Sequence, residues 1–347
     1  MAIGVVSIPL RRRRLTRPRL IAAVAVGLAI LLALGLGALC VGARTLSPVS
    51  VISVLLGSGG SETIRTILFD LRLPRVILSI GVGGALAASG VLFQALLRNP
   101  LAEPYILGIS NGCAVGAILG FLIGAGAVLQ PVMAFAGGVV VVIAVIAIGR
   151  GTYSAGSDSM LLGGVMVGAI GAALIFLLLH FVGPQLRSAM QWMLGDLSSA
   201  QASVGYASAW LFAALLAGSF FSGDLLNVLA LGDEEAASLG VNVTRTRTIA
   251  YIAGSLVVGA AVSFCGAIGF VGLVVPHILR RIFGVDHRAL LPLSVIGGGI
   301  FLMICDTLAR SLMPAVDSTA SELPVGAVTA LIGAPVFIYL LRRGRGR

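Results

Sequence analysis

Long apolar runs fill almost the whole chain, and short breaks rich in arginine, glycine and proline separate them. Most runs are close to the roughly 20 residues that a helix needs to cross a bilayer. The pattern predicts ten membrane-spanning helices, at 20–43, 76–97, 106–126, 131–149, 159–183, 204–221, 248–268, 270–283, 290–309 and 325–341. The eighth is short, and Pro276 inside it predicts a tilted or broken helix. We also expect a helix that does not span the membrane at about 188–200.

One internal stretch, from Ser222 to Arg247, is much more polar than the rest of the chain. Its centre predicts a short helix, because three acids stand where a helix would begin and Gly240 stands where it would end. This helix is too short to cross a bilayer, so it must lie outside the membrane. Leu231, Ala236 and Leu239 give it apolar positions to bury against a partner. On these residues alone, the acids could equally form the solvated face of a loop.

The composition supports the membrane assignment. Of 347 residues, 58% are hydrophobic and 10% are charged, whereas soluble domains carry roughly 25% charged residues. We therefore predict an all-α polytopic membrane protein with a single transmembrane domain at 20–343, which includes the polar stretch at 222–247. Cytoplasmic tails at 1–19 and 344–347 flank it. The four cysteines lie in apolar segments without metal-ligand spacing, and we interpret them as small buried hydrophobic residues.

The basic residues bear on nucleotide binding and on the orientation of the chain in the membrane. All 23 are arginine, and a phosphate-binding loop of the GxxxxGK[ST] type requires a lysine, so any driving nucleotide must bind to another polypeptide. The net charge of +10 would suit a nucleic acid. However, the arginines lie at the ends of predicted spans, where they are topology signals, so we expect no nucleic-acid partner.

The N-terminal apolar run is too long for a cleaved signal peptide, so we interpret it as a retained first span that starts in the cytoplasm. Ten spans then place most arginines inside, and leave outside only Arg44, Arg65, Arg72, Arg75, Arg187 and Arg310. Because basic residues prefer the cytoplasmic side, this split supports the topology. It predicts that both termini and the 233–240 helix lie in the cytoplasm.

Three further blocks combine polar and helix-breaking residues near predicted membrane edges: Arg98–Gly112, Gly266–Arg281 with the following Asp286-His287-Arg288, and Glu322–Pro335. In the first block two prolines bracket a polar break. Non-helical backbone at this depth is tolerated where it lines a cavity or is buried in protein. In this order, and together with the acidic helix, the blocks resemble the iron-chelate, haem and cobalamin permease family of ABC importers (FecCD/BtuC type). The resemblance runs from about Asp70 to Arg343.

This resemblance implies a type II importer permease, in which two copies of the chain form a homodimer with one translocation path at its axis. It also implies two cytoplasmic ATPase subunits, a periplasmic substrate-binding protein and a place in the bacterial inner membrane. ATP would be used by the partner ATPase, so the chain itself would be no enzyme and would hold no permanent cofactor.

The resemblance assigns roles to particular residues. The ATPase-coupling segment matches Leu231, Gly232, Asp233, Glu234, Glu235, Ala236, Ala237, Leu239 and Gly240. Docking of the binding protein matches Arg72, Arg75 and Arg310. Outward-facing arginines suit carboxylates, although each could simply anchor the membrane edge. The cytoplasmic gate matches Asn99, Leu101, Ser157 and Asp158.

The sequence indicates the transported substrate less clearly than it indicates the class of transporter. The fifth span and the block after it should border the outer mouth of the path, where the candidate residues are Arg187, His180, Met166 and Met190. Gln185-Leu186-Arg187 resembles haem permeases, but a Leu-Arg pair here also occurs in cobalamin permeases. Arg187 would meet a porphyrin propionate. His180 would either approach the haem iron or, as is more common for a lone histidine on an apolar helix, pack against its neighbours. Haem is therefore the first candidate, and a ferric siderophore or cobalamin is the alternative.

Two other function classes compete with this interpretation. A secondary transporter driven by protons or sodium would need ionisable groups deep in the spans, but Asp306, Glu103 and His180 all sit at predicted span edges. A membrane enzyme would need clustered acids or metal ligands on one side, and the sequence offers no such cluster. The ion-driven transporter is the different-class alternative.

Overall fold

The structure is a computed structural model that describes residues 16–42, 45–59, 61–150, 157–198, 202–316 and 322–344. Most of the predicted N-terminal tail, and Arg44, lie outside these residues. Throughout the described part the chain is helical and contains no strand, which confirms the all-α prediction.

The first half of the bundle contains α1 (Arg17–Cys40), α2 (Pro48–Leu55), α3 (Glu62–Thr66), α4 (Leu73–Leu96), α5 (Ile109–Leu122), α6 (Leu129–Arg150) and α7 (Ser157–Leu179). The second half contains α8 (Leu186–Met193), α9 (Ala202–Leu231), α10 (Asp233–Ser238), α11 (Val243–Cys265), α12 (Val271–Phe283), α13 (His287–Val316) and α14 (Val325–Gly344). A π-helical turn, Ile67–Arg72, joins α3 to α4 without a break. Short 3-10 turns occur at Pro104–Leu107 and Gly183–Gln185.

Each predicted span coincides with a helix. Among the described residues, seven helices are long and apolar enough to cross a membrane: Arg17–Cys40, Glu62–Leu96, Leu129–Ile148, Leu161–Leu179, Ala202–Leu231, Val243–Cys265 and His287–Leu312. Two shorter helices, Ile109–Leu122 and Val325–Leu340, are also apolar. Because α5, α12 and the apolar part of α14, Val325–Leu340, fall below the usual spanning length, the count of ten crossings stays a prediction.

Several predicted boundaries were wrong, including the end of the ninth span, where α13 continues to Val316 rather than ending near 309. The helix that contains the second span begins at Glu62 rather than near 76, and α8 ends at Met193 rather than near 200. Helix α9, which contains the sixth predicted span, continues to Leu231 instead of ending near 221. Its polar extension is helical because its side chains have partners at the start of α13: Asp224 pairs with Arg288, and the Asn227 side-chain amide donates to Asp286 at 2.8 Å.

Helix α4 is the central element and packs against α9, α11, α12 and α13. Glycine makes these approaches possible. A Cβ at Gly83 would collide with the backbone of Gly298 in α13, and one at Gly90 would collide with Gly272 in α12. The same close contact joins Gly112 of α5 to Gly137 of α6. The glycine pairs therefore pack helices together, as small residues do in lipid.

Polar contacts divide the bundle into two sides. The end of α4 at Arg98, helix α10 and the start of α13 meet on one side, which we call the coupling side. Arg75 near the start of α4, the end of α1 and Arg310 of α13 meet on the other, which we call the opposite side. Helix α8 also lies on the opposite side, since Asp196 just after it bonds the end of α11.

Candidate functional site

Helix α10 is a separate short helix set at a corner of the chain. Gly232 lies between α9 and α10 at φ 138°, a conformation that other residues rarely adopt. At the other end, Gly240 has φ 82°, and the amides of Gly240 and Val241 donate to the carbonyls of Ala237 and Ala236 at 2.9 and 3.1 Å. This is the double hydrogen bond of a Schellman helix end. The predicted short helix, ending at Gly240, is therefore confirmed.

The surface of α10 is mostly exposed. Ala236 is fully buried, whereas Glu234, Glu235, Ala237 and the flanking Leu231 and Leu239 are exposed. Two exposed leucines beside two carboxylates give this helix both apolar area and charge outside the bundle. Apolar side chains rimmed by polar ones are a common composition of protein–protein interfaces.

Asp233 differs from its two acidic neighbours because it points back into the chain. Its carboxylate accepts from Arg247 of α11, with Nη1–Oδ2 and Nη2–Oδ1 distances of 2.8 and 2.5 Å. Arg98, at the end of α4, approaches the same carboxylate with Nη2–Oδ1 at 3.4 Å. The Arg247 side chain is only 5% exposed, whereas Asp233 and Arg98 are 42% and 41% exposed. Asp233 thus ties α10 to two other elements, a role that the sequence did not indicate.

Arg98 occupies an unusual backbone position. The amides of Arg98 and Asn99 donate to the carbonyls of Ala95 and Gln94 at 3.3 and 3.1 Å, so α4 also ends in a Schellman motif. Arg98 takes the left-handed position of this motif, at φ 48°, where glycine is the usual residue. A side chain there costs about 1–2 kcal/mol, and a half-exposed ion pair contributes only about 0.2–1 kcal/mol. Folding stability therefore does not explain an arginine here.

Arg98 begins the irregular connection between α4 and α5, residues 98–108, which we call the turn segment. The predicted gate residue Asn99 shapes it, because its side chain accepts from the Leu101 amide at 2.9 Å. Leu101 itself is exposed. The other two predicted gate residues, Ser157 and Asp158, begin α7, and their side chains lie outside the described part of the structure.

The far end of the turn segment is fastened to the loop 266–270, before α12. The Glu103 carboxylate accepts from the Phe270 amide at 2.7 Å, where Phe270 has φ 68°. The Tyr105 hydroxyl donates to the Ile268 carbonyl at 2.7 Å and accepts from the Ile268 amide at 2.9 Å. Two irregular segments thereby satisfy each other's polar groups, as backbone away from water requires. The sequence analysis identified the two blocks that contain these segments, but it did not predict that they contact each other.

The arginines expected to dock a binding protein are buried on the opposite side. Arg75 holds Asp306 at 2.8 Å and Glu322 at 2.6 Å. Arg310 lies 3.7 Å from Asp306 and donates to the Ala38 carbonyl at 2.5 Å. Arg72, 7% exposed, donates to a carbonyl at the end of α1 at 2.7 Å. The expected outward exposure is not found. An acidic partner would have to displace these internal acceptors, and the docking role stays a prediction.

The candidate path residues are exposed but do not form one cluster. Arg187 and Met190 lie one turn apart on the exposed face of α8, whose Ala189 and Trp192 are buried. His180, just after α7, is exposed. Met166 is exposed too, but 14 helical positions separate it from His180, which is about 20 Å along the axis. Three of the four are therefore on the opposite side.

A cavity of about 280 Å³ opens beside α8. Its polar lining comes from Gln130, Ser188, Gln191, Asp196 and Ser263. Sites for small molecules usually measure about 300–1,000 Å³. This cavity is therefore too small to enclose a large chelate within one copy of the chain.

Comparison with known proteins gives the family. The model of the FecCD transport family matches residues 15–343. The chain is 42% identical over 294 residues to the cobalamin import system permease protein BtuC of Halobacterium salinarum, covering 82% of this chain and 75% of the relative. It is 36% identical over 341 residues to the hemin transport system permease protein HmuU of Yersinia pestis, covering 95% and 97%.

A solved structure of a metal-chelate type ABC transporter in an inward-facing conformation superposes with a TM-score of 0.80 at 27% identity, covering 94% of this chain and 99% of the other. The matched part of the chain is therefore nearly the whole of it. The chain therefore belongs to the FecCD transport family and is the permease subunit of an ABC importer.

Proposed function

We propose that this chain carries a metal tetrapyrrole, with haem as the first candidate, from an outer binding protein into the cytoplasm by ATP-driven alternating access. The observation that carries the proposal is α10, a short acidic helix that stands outside the bundle and is tied to it through Asp233. The driving ATPase is a separate polypeptide. This chain has no lysine, and a phosphate-binding loop of the GxxxxGK[ST] type needs one.

In this proposal the coupling side faces the cytoplasm of a bacterial cell, and both chain ends lie there. One ATPase subunit receives each copy of α10, with Glu234, Glu235 and Leu239 on the contact face. The exposure of these three side chains supports this assignment. The turn segment, with Asn99 and Leu101, acts as the cytoplasmic gate together with the start of α7.

The translocation path lies between two copies of the chain. Support comes from the small size of the cavity beside α8 and from the exposure of Arg187 and Met190 on that helix. Within the described residues, Arg187 has no carboxylate partner of its own. An exposed guanidinium at the outer mouth suits a propionate of haem.

Cobalamin is the alternative cargo, and the relatives support it as well as haem, because proteins of similar identity to this chain carry either name. Both cargos have strong visible absorbance, so one experiment separates them. The binding protein that co-purifies with the tagged complex is incubated with haemin, cyanocobalamin or a ferric hydroxamate siderophore, desalted, and scanned. A retained Soret band supports haem. A corrinoid spectrum with no Soret band supports cobalamin and removes haem. A siderophore charge-transfer band alone contradicts the tetrapyrrole proposal.

A further inference from the structure

The turn segment is held at both ends, but in two different ways. At its far end, three hydrogen bonds of 2.7–2.9 Å from Glu103 and Tyr105 fix it to the loop before α12. At its near end, the described ion pair that links it to α10 joins Arg98 to Asp233, at 3.4 Å and half exposed. The far end is thus fastened to the bundle by short hydrogen bonds, whereas the near end, which continues from α4, meets α10 through a longer ion pair.

Asp233 is the point where three elements meet. Its closer contacts, at 2.5 and 2.8 Å, go to the buried Arg247 and fasten α10 to α11. The longer contact to Arg98 is the only described ion pair between α10 and the turn segment. A displacement of α10 relative to α4 would therefore reach the turn segment first through Arg98.

The backbone at Arg98 favours a different residue. It is one of two described non-glycine residues with positive φ, and it occupies the glycine position of a Schellman motif. Its half-exposed ion pair with Asp233 does not offset the free-energy cost of this conformation. Strained residues of this kind cluster at switch regions, where the conformation is held for its function. The guanidinium of Arg98 is the feature that a glycine could not supply.

We propose that Arg98 is a positioning residue that transmits displacement of α10 to the turn segment. The inference rests on the proposed function, because it takes α10 as the helix that the ATPase moves. Arg98 touches neither ATP nor cargo in this account. It acts by holding Asp233, so that the turn segment follows α10 during the transport cycle.

The substitution Arg98→Gly separates this role from a structural one. Glycine relieves the left-handed backbone, so the variant is expected to fold with an unchanged or higher melting temperature. It removes the guanidinium and with it the link to Asp233. Arg98→Lys keeps a cation at the same position. Arg288→Gln is the matched control, because Arg288 forms an exposed ion pair on the coupling side but contacts Asp224 rather than the turn segment.

The native complex, purified through a tag on this chain, is reconstituted in proteoliposomes with the outer binding protein and haemin or cyanocobalamin, whichever the unmodified complex transports. The readouts are ATPase co-purification, melting temperature, and cargo moved per ATP hydrolysed. For Arg98→Gly we expect normal co-purification and roughly tenfold less cargo per ATP, within the usual range of coupling between sites. Arg98→Lys should retain most of the coupling, and Arg288→Gln all of it.

Cargo movement per ATP that is unchanged in Arg98→Gly would overturn the proposal. So would a lower melting temperature or a lost ATPase in this variant, because either would give Arg98 a structural or docking role. Equal losses in Arg98→Lys and Arg98→Gly would contradict the part played by the charge. Failure of the unmodified chain to retain any ATPase is a different result, since it would refute the proposed function itself.

Discussion

The ion network on the opposite side makes a quantitative prediction for Asp306→Asn. Asp306 is 1% exposed and is the shared counter-ion of Arg75, at 2.8 Å, and of Arg310, at 3.7 Å. Removing its charge leaves two largely buried guanidinium groups without their common counter-ion. Breaking a buried pair by removing one partner costs about 3–5 kcal/mol, because the remaining charge stays desolvated.

The same network offers a matched control. Glu322 also pairs with Arg75, at 2.6 Å, but its side chain is 40% exposed, so water can replace it. An exposed ion pair contributes about 0–1 kcal/mol, and Glu322→Gln should therefore be nearly neutral. The two variants remove one carboxylate each from the same arginine and differ mainly in burial.

The assay is thermal unfolding of the purified permease in detergent, followed by the loss of the monodisperse peak in size-exclusion chromatography. For Asp306→Asn we expect the midpoint to fall by roughly 5–10 °C, and for Glu322→Gln by no more than about 2 °C. Equal shifts for the two variants, or no shift for Asp306→Asn, would refute the reasoning that burial sets the strength of this network.

Three further predictions address the coupling side and the helix packing. Glu234→Arg with Glu235→Arg should abolish ATPase co-purification without changing the melting temperature, and an ATPase that still co-purifies would contradict the docking role of α10. Glu103→Ala should destabilise the permease by about 1–3 kcal/mol, because it leaves the Phe270 amide unpaired; Glu103→Gln, which keeps an acceptor, should recover most of this, as measured by thermal unfolding. Gly83→Leu should prevent α4 from packing on α13 and yield aggregated protein in the same chromatographic assay, so a monodisperse variant would argue against that close contact.

The helices could be predicted from the sequence because the length of an apolar run is a local property. The errors arose where polar residues continue a helix beyond the apolar zone. Ser222–Leu231 looks soluble in composition, but its Asp224 and Asn227 are satisfied by residues at the start of α13. Those partners are about 60 positions away in the chain, and no periodicity indicates them.

The candidate site shows the same limit more clearly. Helix α10 could be predicted because its acids and Gly240 are local signals of a helix start and end. The contact of Asp233 with Arg98 could not, since both looked like ordinary charged residues at a membrane edge. The burial of Arg75 could not be predicted from the sequence either, because its partner Asp306 lies 231 positions away in the chain. Arg98 would have been noticeable only through its backbone, where glycine is the usual residue.

The central claim is that an ATPase drives transport through this chain. It is tested most directly by uptake of haemin or cyanocobalamin into proteoliposomes, with the outer binding protein outside and ATP either enclosed or omitted. The account predicts uptake only when ATP and the co-purified ATPase are both present, and no uptake from a proton or sodium gradient. Uptake by this chain alone, driven by an ion gradient without ATP, would contradict it.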